Sequence, residues 1–180
     1  MKNILLIVDL QNGFARRDCT ITLVDKIKNI LQQNIFDVVI ATRFLNYDHS
    51  IYEQLFGWDK LKTENEREII PCIQEYVDYV FDKSIYNCVN TNFIQKVCQM
   101  NEGKYPEKIF IVGADTDCCV LTIATSLFEC NIRPVILTKY CNSNGGYESH
   151  QAGLLCLKRL IGNKQLIDVE IDSNTNLDIL

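Results

Sequence analysis

Six short apolar runs alternate with stretches of helical spacing, and this alternation limits the chain more than any other feature. The runs are Ile4–Val8, Asp37–Ala41, Tyr79–Phe81, Lys108–Val112, Pro134–Thr138 and Leu166–Val169. Several are continuous rather than alternating, the pattern of parallel strands covered on both faces. Between them, Thr22–Gln32 sets Val24, Ile27 and Leu31 on one face, and Thr22 with Asp25 resembles a capping box. Asn92–Met100 places Phe93, Val97 and Met100 similarly, and Leu121–Phe128 and Ser149–Ile161 complete the helical set. The expectation is an α/β fold: a doubly wound, mostly parallel six-stranded sheet with helices on both faces. At 180 residues the chain has the length of one domain with a sizeable core, spanning residues 1–180. The least regular stretch, 44–71, is a candidate lid or oligomer contact.

The net charge of −5, with no run of Lys or Arg, argues against nucleic acid as a partner. The apolar part of the start is too short for a signal peptide, and Asp9 interrupts it. No stretch approaches the roughly 18 apolar residues of a membrane span. The expected location is therefore the cytoplasm, with no membrane partner. Nine cysteines are many for this length, but their odd number and the missing export signal speak against a disulfide framework. Most sit among apolar neighbours and read as small buried hydrophobes.

In a parallel sheet, ligands bind beyond the C-terminal ends of the strands. Asp9 follows the first strand directly, and Lys83 follows the third. The adjacent pair Cys118 and Cys119 follows the fourth, where a strand turns into a helix. A helix N-terminus offers free N–H groups and partial positive charge, which lower a thiol's pKa and bind an oxyanion. Taken singly, the aspartate is a turn cap, the lysine a solvated surface residue and the cysteine structural. Together at one sheet edge they make a chemical set: a carboxylate to take the thiol proton and an ammonium to favour the thiolate.

The residues that carry these positions resemble the isochorismatase-like cysteine hydrolases, which include nicotinamidases and N-carbamoyl amide hydrolases. Leu6-Ile7-Val8-Asp9-Leu10-Gln11-Asn12-Gly13-Phe14 is similar to the family's first-strand motif. Lys83, followed by Asn87 and Thr91-Asn92-Phe93, is similar to its lysine segment. Gly113-Ala114-Asp115-Thr116-Asp117-Cys118-Cys119-Val120 is similar to its nucleophile motif. The resemblance implies that Cys119, three residues after the threonine and directly before a valine, is the nucleophile. It implies Asp9 as base, Lys83 as electrostatic partner, a cis peptide at Ala114–Asp115, and an oxyanion site from the N–H groups of Asp115 and Cys119. The implied activity is hydrolysis of a small amide or carbamoyl compound through a thioester.

Metal-containing nicotinamidases carry an Asp-x-His pair and further histidines after the second strand. Here Asp48 and His49 are adjacent, and the chain has two histidines in all. No metal and no cofactor are expected, which weighs against nicotinamidase activity, and His49 reads as a surface loop residue. Substrate-pocket candidates are Phe14, Arg43, Phe44, Trp58, Tyr86 and His150. The last begins a helix after the Gly145-Gly146 turn. The expected partners are a small-molecule substrate and further copies of the chain, as a dimer or tetramer. A silent binding protein on the same fold, and a redox protein using Cys118 and Cys119, are the rival readings.

Overall fold

The structure is a computed structural model and describes residues 1–15 and 18–180. Six strands form one sheet: β1 (Ile4–Val8), β2 (Val38–Phe44), β3 (Tyr79–Lys83), β4 (Lys108–Ala114), β5 (Arg133–Asn142) and β6 (Leu166–Ile167). Their order is β3-β2-β1-β4-β5-β6 and every pairing is parallel. The strand order reverses at β1 and β4, so the loops leaving them open a crevice at the C-terminal edge of the sheet.

β1 shows why the sheet needs two covering layers. All five of its side chains are buried. Ile4, Leu6 and Val8 face one core, shared with α5 (Thr91–Met100), α6 (Leu121–Glu129) and α7 (Tyr147–Leu160). Leu5 and Ile7 face the other, with α1 (Asp18–Leu31) and the short α4 (Pro71–Gln74). This period of two is what lets one strand serve both layers.

Several boundaries differ from the sequence expectation. β2 runs three residues beyond Ala41, through Thr42, Arg43 and Phe44, which brings Thr42 and Phe44 to the sheet's C-terminal edge. α1 begins before Thr22, whose hydroxyl donates to Asp18 O at 2.8 Å. Thr22 is thus an interior residue bonding back one turn, not a cap. β6 ends at Ile167.

The stretch from Phe44 to Pro71 is not structureless. It holds α2 (Ile51–Phe56) and α3 (Glu64–Arg67), and ends where α4 starts. α2 is fixed at both ends, by Ser50, whose hydroxyl accepts from Glu53 N, and by Gly57 in the left-handed region at φ 65°. Thr63 and Glu66 form the chain's capping box at α3. Among the described residues, no helix is long and apolar enough to cross a membrane.

Candidate active site at the ends of β1, β3 and β4

β1 ends at Val8, and Asp9 turns away with φ 52°, a left-handed conformation uncommon for a residue with a side chain. The turn leaves its carboxylate fully buried. Oδ1 accepts from Thr42 Oγ1 at 2.6 Å, and Thr42 Oγ1 in turn accepts from Asp9 N at 3.1 Å. The extra residues of β2 are what supply this partner.

Lys83 closes β3, two strands from β1 in the sheet. Two inter-strand spacings are roughly 10 Å, a gap that the lysine arm and the Asp9 side chain bridge together, the arm passing the Phe44 ring with Nζ 4.7 Å from its centroid. Nζ ends 2.7 Å from Asp9 Oδ2 and 3.3 Å from Cys119 Sγ, and it also donates to Ile85 O at 3.2 Å. The ammonium thus bridges the carboxylate and the thiol, and its contact with Oδ2 has the length of a charge-assisted hydrogen bond.

Cys119 lies in a π-helical turn, Thr116–Val120, that joins β4 to α6. The thiol residue is 4% exposed. Helix-terminal position alone predicts a lowered thiol pKa; the structure gives the opposite direction. Burial pushes the Cys119 thiol well above its usual value, the Asp9 charge adds to this, and Lys83 only partly offsets it. For Lys83, burial works against the ammonium, but Asp9 and Cys119 outweigh it and hold the amine charged well above its ordinary range. These surroundings favour an ammonium at Lys83 and a neutral thiol at Cys119.

The turn is pinned from behind. Asn144 donates to Asp115 Oδ1 through its backbone N at 2.7 Å and its Nδ2 at 2.9 Å. Ser143 Oγ donates to Asp117 Oδ1 at 2.5 Å, and Thr116 Oγ1 is 2.8 Å from His150 Nδ1. Two glycines allow the close approach. A Cβ on Gly113 (φ 118°) would strike the backbone of Val8, and one on Gly153 would lie 2.7 Å from Asp117 N. The Ala114–Asp115 peptide is cis.

In front of Cys119 is a cavity of about 330 Å³ lined by Phe14, Phe44, Tyr52, Phe56, Gly57, Trp58, Tyr86, Asp115, Cys118 and Cys119. Phe14 and Trp58 lie nearly parallel (21°) with centroids 5.9 Å apart, and Tyr52 packs edge-on to Phe44 and Tyr86. Gln11 aligns these walls: its side-chain amide donates to Phe44 O and Arg67 O and accepts from Phe44 N. Burial pushes Tyr86 and Cys118 each up to about 12, so both are neutral at ordinary pH.

Of the pocket candidates from sequence, Phe14, Phe44, Trp58 and Tyr86 line this cavity, while Arg43 and His150 do not. Arg43 precedes Phe44 on β2, so alternation sends it to the opposite face. There it makes a paired contact with Asp82, its register partner on β3, at 2.7 and 2.9 Å. His150 supports the turn through Thr116 and opens instead onto a separate groove of about 640 Å³ between α1, β5 and α7. Burial lowers the His150 pKa. Sequence reasoning missed Tyr52 and Phe56, which share a face of α2 at four-residue spacing. The signal was Ser50 and Gly57 at the two ends.

The donor set does not fit a resident metal. Asp48 Oδ1 is 2.9 Å from Lys62 Nζ, the neighbouring His49 is exposed, and among the described residues no three His, Cys, Asp or Glu side chains gather for an ion.

The Isochorismatase domain model matches residues 3–166. The chain belongs to the isochorismatase family. No curated protein sequence matches it significantly. Solved isochorismatase-like structures do, at identities that speak to fold. An isochorismatase-like hydrolase from Alkaliphilus metalliredigens superposes with TM-score 0.75 at 16% identity, covering 89% of this chain and 92% of that one. The nicotinamidase/pyrazinamidase of Bacillus subtilis gives 0.72 at 19%, covering 93% and 100%. N-carbamoylsarcosine amidase of Thermoplasma acidophilum gives 0.71 at 17%, covering 98% and 99%.

Proposed function

We propose that this isochorismatase-family chain is a cysteine hydrolase that needs no metal and cleaves the C–N bond of a small amide or carbamoyl compound. The observation that carries this reading is one buried ammonium touching both a carboxylate and a thiol, 2.7 and 3.3 Å away, beside an aromatic cavity. The amidase and nicotinamidase names of the structural neighbours support it.

In the proposed mechanism Asp9 takes the Cys119 proton as Sγ attacks the carbonyl carbon. The C–S bond forms and the carbonyl electrons move to oxygen. The N–H groups of Asp115 and Cys119 receive that oxyanion, and the fixed Lys83 charge, no longer balanced once Asp9 is protonated, helps to stabilise it. The C–N bond then breaks, its nitrogen takes the proton from Asp9, and ammonia or an amine leaves. Water gives a proton to Asp9 and attacks the thioester, the C–S bond breaks, and the proton returns to Sγ. The neutral resting thiol suits this sequence, because Asp9 takes its proton in the step that forms the C–S bond.

Ammonia release from a panel of small amides, ureas and carbamoyl compounds tests the reading. Turnover is expected to vanish in Cys119→Ala, to survive EDTA, and to give an acyl adduct on Cys119 in rapid-quench mass spectrometry. Undiminished turnover in Cys119→Ala would sink it. The near-parallel Phe14 and Trp58 rings favour a flat substrate, so nicotinamide belongs in the panel as a second reading.

A further inference from the structure

β2 runs past Ala41 and carries Thr42 to the sheet edge beside Asp9, where the threonine is fully buried. Its hydroxyl meets Asp9 twice. Oγ1 accepts from Asp9 N at 3.1 Å and donates its single proton to Oδ1 at 2.6 Å, the length of an O–H bond to a charged oxygen. The backbone N–H can only donate, so it occupies a lone pair of Oγ1 and leaves the hydroxyl proton for the carboxylate. Lys83 meets the other oxygen, Oδ2, at 2.7 Å and reaches Cys119 Sγ at 3.3 Å. The two carboxylate oxygens thus have different partners. Oδ1 has a hydroxyl with one proton, and Oδ2 has an ammonium that also touches the thiol.

This difference decides which oxygen can take a proton. A proton on Oδ1 would face the hydroxyl proton and break that bond. A proton on Oδ2 disturbs only the ammonium, which has three hydrogens and two other acceptors, Sγ and Ile85 O at 3.2 Å. We propose that Thr42 is a positioning residue for the base: its hydroxyl keeps Oδ1 unprotonated and leaves Oδ2 to receive the Cys119 proton. The proposal rests on the amide-hydrolase reading, in which Asp9 takes that proton. As the S–H bond breaks, an O–H bond forms at Oδ2, the sulfur electron pair forms the C–S bond and the carbonyl pair moves to oxygen. When the C–N bond breaks, the same proton passes from Oδ2 to the departing nitrogen. The Thr42 bond to Oδ1 stays in place throughout.

The test compares full-length Thr42→Val and Thr42→Ser on whichever small amide, urea or carbamoyl compound the wild type turns over best. Valine keeps the branched shape and removes the hydroxyl; serine keeps the hydroxyl and removes a methyl group. Both are assayed where circular dichroism shows them folded, and their urea midpoints are recorded. Thr42→Val is expected to lower kcat by about a hundredfold, the scale of a misplaced reacting group, with KM within about twofold of wild type. Thr42→Ser should keep kcat within about threefold, although the lost methyl lowers its urea midpoint. A purely structural Thr42 would give folded variants with wild-type kcat, or losses that follow the midpoints. Should Thr42→Val not fold, Thr42→Ala against Thr42→Ser makes the same comparison, since those two differ by one hydroxyl oxygen. Wild-type kcat without the hydroxyl, an equal loss in Thr42→Ser, or a change confined to KM each overturns the role and leaves the hydrolase reading standing. A wild type that releases no ammonia from any compound overturns the hydrolase reading and the role with it.

Discussion

Lys83 Nζ sits 2.7 Å from Asp9 Oδ2 and 3.3 Å from Cys119 Sγ, and all three groups are buried. One buried ammonium therefore offsets the charge of the carboxylate and also reaches the thiol whose proton that carboxylate would take.

Removing one partner leaves the other charged and buried. Lys83→Met is expected to cost about 3 kcal/mol in urea unfolding, the usual range for breaking a buried pair. Ammonia release should fall by a factor on the order of a hundred to a thousand, as when a fixed charge is lost from a developing anion. Near-normal stability would mean that the pair does not hold the fold together.

Asp9→Asn separates thiol acidity from catalysis. The Asp9 charge raises the Cys119 pKa and Lys83 lowers it. With the carboxylate gone, the remaining ammonium favours the thiolate. Iodoacetamide should label Cys119 faster in Asp9→Asn than in wild type at neutral pH, while hydrolysis disappears. Slower labelling together with lost hydrolysis would instead make Asp9 the group that ionises the thiol at rest.

Asp115 gives the fold a pH dependence of known sign. Burial raises its carboxyl to about 6 from an ordinary 3.8; the two bonds from Asn144 oppose this, and nearby Asp117 and Asp9 add to it. The folded protein holds this proton more tightly than the unfolded chain. Its contribution is thus fully present below about pH 4 and is lost as the pH rises through about 6. Urea midpoints of wild type and Asp115→Asn should diverge in favour of the variant across that window and run parallel above it. A constant difference from pH 4 to 8 would assign the dependence to other groups.

The turn's support from α7 is steric as well as polar. Gly153→Ala places a Cβ 2.7 Å from Asp117 N, which should cost about 1–3 kcal/mol and displace the Cys119 turn. His150→Ala removes only the contact to Thr116 Oγ1 and should cost about 1 kcal/mol. Since the turn carries Cys119, kcat should fall more than KM rises in Gly153→Ala. A change confined to KM would place the disturbance in the cavity walls instead.

Continuous apolar runs reported the parallel sheet because a strand covered on both faces has no polar side to show, as β1 demonstrates. Ordered motifs at strand ends brought forward Asp9, Lys83 and Cys119, because parallel strands deliver their C-terminal ends to one edge. α2 escaped notice for a physical reason: six residues make under two turns, too few for a 3.6-residue period to emerge. Only its caps were legible.

The sequence by itself determined the layered sheet and brought three chemical groups to its C-terminal edge, since each follows from periodicity or from a local motif. The tertiary structure decided the rest. It turned Arg43 to the far face of β2, set His150 behind the nucleophile turn, and brought α2 over the cavity. It also reversed the expected direction of the Cys119 pKa, because a thiol's acidity depends on how much water and which charges surround it. Those surroundings come from Asp9, 110 residues earlier in the chain, and from the burial that folding around it creates.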